Sequence, residues 1–368
     1  MSYIANNCEI DAIFLDCTKA FDRADHSGIL TALSKLNVNP WFVRLISDYL
    51  KGRSQVTRVD DAKSPEIPVT SGVPQGSILG PILFIFLIHD VDKGISPGTT
   101  LKIFADDQLI YRVIFSVNDE KELQNDLDKL CENAQKKKLC FNARKSFHMR
   151  LSGRRCPSTP VSPYVIDRAE ILSVPKVKYL GLEIDQNLSW RSHIDKLETK
   201  CHFRIRQINS MLRGRADRAK MQLFKSLVNP VTDYCSVVLN PPYQYQLEIL
   251  EKTQMNFVRQ LRVGVNSQEN ALESYLKRLE VLKWDPVIVR RIKCLLKLTF
   301  KLVSGLVPYG SQVFEAATVT GNTRCLITKP PMPYPSNRSH GQWGKNQALN
   351  KKSHSSDGCF MECCRNGC

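Results

Sequence analysis

Residues 102–112 read Lys-Ile-Phe-Ala-Asp-Asp-Gln-Leu-Ile-Tyr-Arg, two adjacent carboxylates with apolar residues on both sides. Like charges this close repel unless cations neutralise them, and hard oxygen ligands at a turn are what Mg²⁺ takes in phosphate chemistry. Asp106-Asp107 on its own also fits a solvated turn, since Asp caps local backbone groups. A further acid, Asp16, ends the apolar run that starts at Asp11. If that run lies beside residues 102–112 in one sheet, Asp16 and Asp106 meet. Such a pair can hold two metal ions about 4 Å apart, which stabilise the attacking and leaving oxygens of an in-line phosphoryl displacement.

Placing these acids requires particular elements. Ile103-Phe104-Ala105 and Leu109-Ile110-Tyr111 are rich in β-formers around a polar tip, which predicts two short strands and a hairpin turn. Ser71-Gly-Val-Pro-Gln-Gly-Ser-Ile-Leu-Gly-Pro81 reads as a turn opening onto an apolar helix, with glycines that permit close backbone approach to a ligand. Helical spacing of Ile29, Leu30, Leu33 and Leu36, punctuation at Pro40, and a second apolar set from Trp41 to Leu50 predict helices over one sheet face. His26 reads as a surface or first-turn residue with no role. Residues 119–139 predict a long helix with Leu123, Leu127, Leu130 and Ala134 as its buried stripe. Its end, Lys136-Lys137-Lys138, suits the helix dipole, with phosphate contact the lesser alternative.

Five blocks stand in order: FLDCTKAFD (14–22), SGVPQGSILGP (71–81), FADD (104–107), FNARKS (141–146) and KYLGLEID (178–185). With them the chain resembles the reverse transcriptase of a non-LTR (LINE-type) retrotransposon, and the similarity continues weakly to about residue 310. The resemblance implies an α+β fold. Residues 1–185 would be a right-hand polymerase palm, an antiparallel sheet with packed helices. Residues 186–310 would be an all-α thumb with connected C-terminal helices; the residues themselves, where helical periodicity stops after about 310, make 311–368 an irregular, disordered tail containing cysteines. The implied activity is RNA-directed DNA synthesis from deoxynucleoside triphosphates on an RNA template and DNA primer. Two Mg²⁺ ions, or Mn²⁺, would be held by Asp16 and Asp106 with Asp107 in support. Lys145 would assist the leaving pyrophosphate. Cys17, Gln75 and Gly76 would line the nucleotide, and Phe21 would gate its sugar, with an ordinary core role as the alternative for Phe21. Asp22 would be structural, and Tyr179, Leu180 and Gly181 would grip the primer end. The family carries a fingers region ahead of its first catalytic strand. A strand beginning near residue 9 therefore leads to the expectation of a C-terminal part of a longer element protein. Such a part would bind Mg²⁺ and primer–template while synthesising little DNA alone; the alternative is a catalytically silent nucleic-acid-binding remnant.

Bulk properties agree with a globular, nucleic-acid-facing chain. Its 368 residues are 42% hydrophobic and 24% charged, and the formal charge of +16 favours a polyanionic partner, either nucleic acid or an anionic membrane. The longest apolar run, Ile78–Ile88, is broken by Gly80 and Pro81 and is too short to span a bilayer, so a buried helix is expected. The N-terminus lacks a basic n-region, pointing to an intracellular protein whose thirteen cysteines are reduced. From Leu188 the pattern is helical, with Ile194, Leu197, Cys201, Ile205, Ile208 and Leu212 as one apolar seam. Lys200, Arg204, Arg206, Arg213, Arg215, Arg218, Lys220 and Lys225 stand against Asp217 alone, an imbalance that suggests contact with a duplex backbone. Cys359, Cys363, Cys364 and Cys368 do not have the usual zinc spacing, so a tail altered by frameshift or truncation is the preferred reading.

Overall fold

The computed structural model describes residues 9–152, 163–214, 216–239, 244–263 and 271–307, and the two short strands 314–316 and 326–328. The first half runs β1 (Glu9–Leu15), α1 (Ala20–Arg23), α2 (His26–Lys35), α3 (Pro40–Leu50), α4 (Leu79–Ile88), β2 (Thr99–Phe104), β3 (Asp107–Ile114), α5 (Val117–Lys136) and β4 (Phe147–Ser152). It continues through the short β5 (Leu172–Ser173) and the hairpin β6 (Lys176–Tyr179) and β7 (Leu182–Asp185). Then come α6 (Arg191–Met211), α7 (Asp217–Leu227), α8 (Asn229–Asp233), α9 (Gln244–Arg259), α10 (Ala271–Leu282) and α11 (Val287–Val303). The fold is α+β.

One five-stranded sheet, in the order β5-β4-β1-β3-β2, carries the first half. Its central strand β1 is antiparallel to both neighbours, with Ile13 opposite Ile110 and His148. Alternate side chains leave opposite faces of a strand, so β1 serves two layers. Ile13 and Leu15 join Ile29, Leu33, Phe84 and Leu127 under the helices. Ala12 and Phe14 pack on the other face with Met149 and Val177, beneath the β6–β7 hairpin. Local signals set the helix starts: Asp25 caps α2 through Gly28 N, Asn39 caps α3 ahead of Pro40, and Ser116 with Asp119 forms a capping box on α5. The expected stripe of α5 is buried, since Leu123, Leu127 and Leu130 are 0% exposed and Ala134 1%.

Helix α4 departs from expectation. Leu83, Phe84, Leu87 and Ile88 are buried, but Ile78, Ile82 and Ile85 face solvent, so the run is half-buried. Its residues are apolar all round, and nothing in the pattern tells the covered side from the open one. Among the described residues no helix is long and apolar enough to cross a membrane.

A second apolar cluster starts at Leu182 and runs through the α6 seam, Ile194, Leu197, Cys201, Ile205 and Ile208, to Phe224, Phe257 and Val287. Phe257 and Trp284 stack around Phe224. The basic residues here are partly spoken for: Arg204 donates to the Leu227 carbonyl and Lys225 lies over the Trp284 ring. At the end of α5, Lys137 pairs with Asp90 and Lys138 with Asp25, which makes that basic turn mainly structural. Arg215 and the four tail cysteines lie outside the described residues.

Candidate active site

Register places the three acids. The β1–β3 ladder ends at Leu15 opposite Gln108, so its next step sets Asp16 across from Asp107. Directly opposed residues of an antiparallel pair share a face. The β2–β3 ladder closes at Phe104 opposite Asp107, leaving Ala105 and Asp106 as a two-residue turn. Ala105 takes φ 54, a left-handed conformation costly for a residue with a Cβ and one that tends to persist where function requires it.

The charges feel one another. Burial, then Asp106, then Asp16 raise the Asp107 carboxyl above its ordinary range. Burial, followed by Asp106 and Asp16, pushes the neighbouring Cys17 thiol up to about 12, so Cys17 is a neutral, buried wall and no nucleophile. Among the described residues no Lys or Arg forms an ion pair with Asp16, Asp106 or Asp107. Nor does any group of three His, Cys, Asp or Glu form a ready-made metal cage there. Carboxylates without a protein counter-charge suit a hard divalent cation, and Mg²⁺ is usually held by one or two of them plus substrate phosphates.

Two loops frame the acids. The 71–76 turn is tied to the chain following Asp16: Val73 N donates to Phe21 O (2.9 Å), Gly72 N to Ala24 O (2.8 Å) and Ser71 Oγ to Asp22 O (3.0 Å). At Gly72, with φ +90, a Cβ would stand 2.8 Å from Asp22 O, so only glycine fits. Gln75 Nε2 donates to Asp22 Oδ1 at 2.8 Å, which aims the exposed amide and gives Asp22 its structural part. Space around Gly76 is open. Phe21 is half-buried and stacked on Phe84, with ring centroids 4.7 Å apart, so its ring packs at the edge of the core. His26, without a role by sequence, has Nε2 2.8 Å from Gly72 O and steadies the same turn. The second loop carries exposed Lys145. Asn142 N donates to Asp16 O (2.9 Å), and Ser146 Oγ accepts from Asp16 N (3.2 Å), so this loop rides on the Asp16 backbone.

The β6–β7 tip reaches the same face. Tyr179 lies edge-on to Phe14 at 5.2 Å, and burial followed by the Asp107 charge raises its phenol. Leu180 (φ 45) and Gly181 (φ 81) form the turn, and Tyr234 Oη donates to Leu180 O at 2.8 Å from 54 residues away. A Cβ on Gly181 would stand 3.3 Å from the Tyr234 ring. Sequence reasoning missed Tyr234 because no local pattern links it to the tip. Tyr234→Phe removes one hydrogen bond worth about 1 kcal/mol. The expected result is an unfolding free energy lower by about that amount, with the fold retained; urea titration of Tyr234→Phe against the parent checks it.

Residues 7–184 match the family described as reverse transcriptase (RNA-dependent DNA polymerase). The probable RNA-directed DNA polymerase from transposon X-element of Drosophila melanogaster is 29% identical over 243 residues, covering 65% of this chain and 25% of that protein. The RNA-directed DNA polymerase from mobile element jockey of Drosophila funebris is 27% identical over 280 residues, 73% of this chain and 29% of that one. Residues 7–184 are thus similar to reverse transcriptases, and these relatives are those of non-LTR (LINE-type) retrotransposons. The chain spans about a quarter of the length of these relatives. Among solved structures, apo telomerase from Candida tropicalis aligns with a TM-score of 0.41 at 10% identity over 74% of this chain and 42% of that one.

Proposed function

We propose that the chain is the polymerase portion of a non-LTR reverse transcriptase, adding deoxynucleotides to a DNA primer on an RNA template. What supports the reading is the meeting of Asp16, Asp106 and Asp107 at one end of the sheet, without a cationic partner among the described residues, beside the turn that carries Gln75. Asp16 and Asp106 would hold two Mg²⁺ ions, with Mn²⁺ as a substitute and Asp107 in support. When bound, those ions would neutralise charge on the attacking and leaving oxygens of an in-line displacement. The primer 3′-oxygen bonds to the α-phosphorus, the bond to the β-phosphate oxygen breaks, pyrophosphate leaves and the hydroxyl proton passes to solvent.

Around the acids, Lys145 reaches from its loop toward the leaving pyrophosphate, and Gln75 and Gly76 border the nucleotide with buried Cys17 behind. The exposed edge of Phe21 limits room at the sugar 2′ position. Tyr179, Leu180 and Gly181 hold the primer end over the same face. In this reading residues 1–185 act as palm, 186–310 as thumb with connected helices, and the remaining basic residues of α6 and α7 meet the duplex backbone.

The test is single-nucleotide addition to a labelled DNA primer annealed to RNA, with Mg²⁺ or Mn²⁺. Slow template-directed addition of a single nucleotide by the purified chain, with little processive extension, is expected; binding without any incorporation under either ion overturns the reading in favour of a silent binding fragment. Primer–template affinity should fall steeply with salt, with a log–log slope of about −0.9 per phosphate neutralised on a duplex. Fluorescence anisotropy between low and high salt checks this, and a flat response would remove the phosphate contacts.

A further inference from the structure

Beyond buried Val287, helix α11 docks through its charges and turns a row of apolar residues outward. On the docked side Arg291, 7% exposed, donates to Thr232 O at 3.0 Å and to the Leu239 carbonyl, while Arg290 pairs with Asp233 at 3.0 Å and donates to Gln254 Oε1 at 2.6 Å. On the other side Ile288, Ile292, Leu295, Leu296, Phe300 and Val303 are between 42% and 61% exposed. Spaced by four and three residues, with Leu295 and Leu296 side by side in the middle, they make one continuous stripe, about 22 Å long at 1.5 Å per residue. Such a stripe exceeds the scattered apolar residues of an ordinary surface and marks a contact site.

Charge says what covers it. Val287–Val303 contains no Asp or Glu. Lys293, Lys297 and Lys301, at steps of four, line one edge of the stripe. Lys293 is engaged by Asp285 at 2.7 Å; Lys297 and Lys301 are exposed and have no acidic partner among the described residues. A second copy of α11 would bring these lysines against their own counterparts. Residues 308–368 carry seven Lys or Arg against three Asp or Glu, so the chain's own following segment is not complementary either. A phosphate backbone would satisfy the lysines and leave the stripe in water.

We infer that this face seats an amphipathic partner helix whose apolar stripe is flanked by acidic residues, a helix-on-helix contact with charge deciding the partner. The inference goes beyond the polymerase reading and does not need it, because its readout is binding. The probe is a 21-residue helical peptide with Leu at the a and d positions of a heptad and Glu at e and g, against a twin with Lys at e and g. With the full chain, calorimetry should show binding of the Glu peptide and none of the Lys peptide. Lys297→Glu with Lys301→Glu should weaken the Glu peptide by about tenfold or more and admit the Lys peptide, since like charges across an interface are strongly disfavoured. Ile292→Ser with Leu296→Ser, at positions already exposed, should abolish binding with the melting temperature unchanged. Equal binding of both peptides, or of neither, overturns the inference. So does association only with phosphatidylserine vesicles, or self-association that the same serines abolish.

Discussion

Asp106→Asn should lower single-nucleotide addition by about 10³-fold or more, because in the proposed reading it removes a carboxylate that holds the metal ions and forfeits several kcal/mol of stabilisation at about 1.4 kcal/mol per tenfold. The asparagine keeps the size and the turn, so folding is not at issue. Mutual repulsion with Asp16 and Asp107 also falls, and the variant should melt no earlier than the parent in chelator. Asp107 sharpens the expectation. Its carboxyl is held above the ordinary range by burial and by Asp106 and Asp16, so it takes a proton at a higher pH than a free aspartate. Without divalent ion the Asp107 carboxyl should therefore keep its proton to a higher pH than an ordinary aspartate, and Asp106→Asn should lower that pH. Rapid-quench measurements of Asp106→Asn and a carboxyl pH titration of the metal-free protein by NMR test both, and incorporation within tenfold of the parent would remove Asp106 from the chemistry.

How far the sequence led depends on range. Asp16 and the Asp106 tip were legible because each sits at the end of a short apolar run, and strands that pair must bring their ends together. The α5 stripe was legible because polar residues fill the rest of that helix, so only one face can be buried. In α4 every face is apolar, and the open Ile78–Ile82–Ile85 side left no mark in the sequence. The Asp22–Gln75 and Tyr234–Leu180 hydrogen bonds were out of reach for another reason. Each joins polar side chains or carbonyls more than fifty residues apart, where no periodicity connects donor to acceptor. Lys137 and Lys138 show the converse, since a basic run can serve phosphate or nearby acids and only the fold supplied Asp90 and Asp25.

The least legible feature carries the largest expected stability effect. Asp11 and Arg150 stand opposite each other in the β1–β4 ladder, 0% and 2% exposed, where strand positions of this kind are usually apolar. Arg150 grips Asp11 through Nε (2.7 Å) and Nη2 (2.6 Å) and reaches Glu120 Oε1 on α5 at 2.5 Å. Tyr164 Oη donates to Asp11 Oδ2 at 2.6 Å, and His148 Nε2 lies 3.1 Å from Oδ1. Burial alone would raise the Asp11 carboxyl; the Arg150, His148 and Tyr164 contacts outweigh it and bring it down to about 2. An acid depressed in this way stabilises the fold fully above its unfolded value near 3.8, and that contribution is lost as pH falls toward about 2. Glu9, 4% exposed, lies 3.6 Å from the same Arg150 guanidinium. Arg150→Ala leaves these three carboxylates buried without that cation, at about 3–5 kcal/mol, a large share of the roughly 5–15 kcal/mol that holds a domain together. Exchanging the set together, Arg150→Met with Asp11→Leu, Glu120→Leu and Glu9→Gln, removes the charges as well as the pairing and should cost far less. Urea titrations of the two variants decide the matter: a single substitution as mild as the combined exchange would mean that Arg150 is not what keeps these acids ionised under α5.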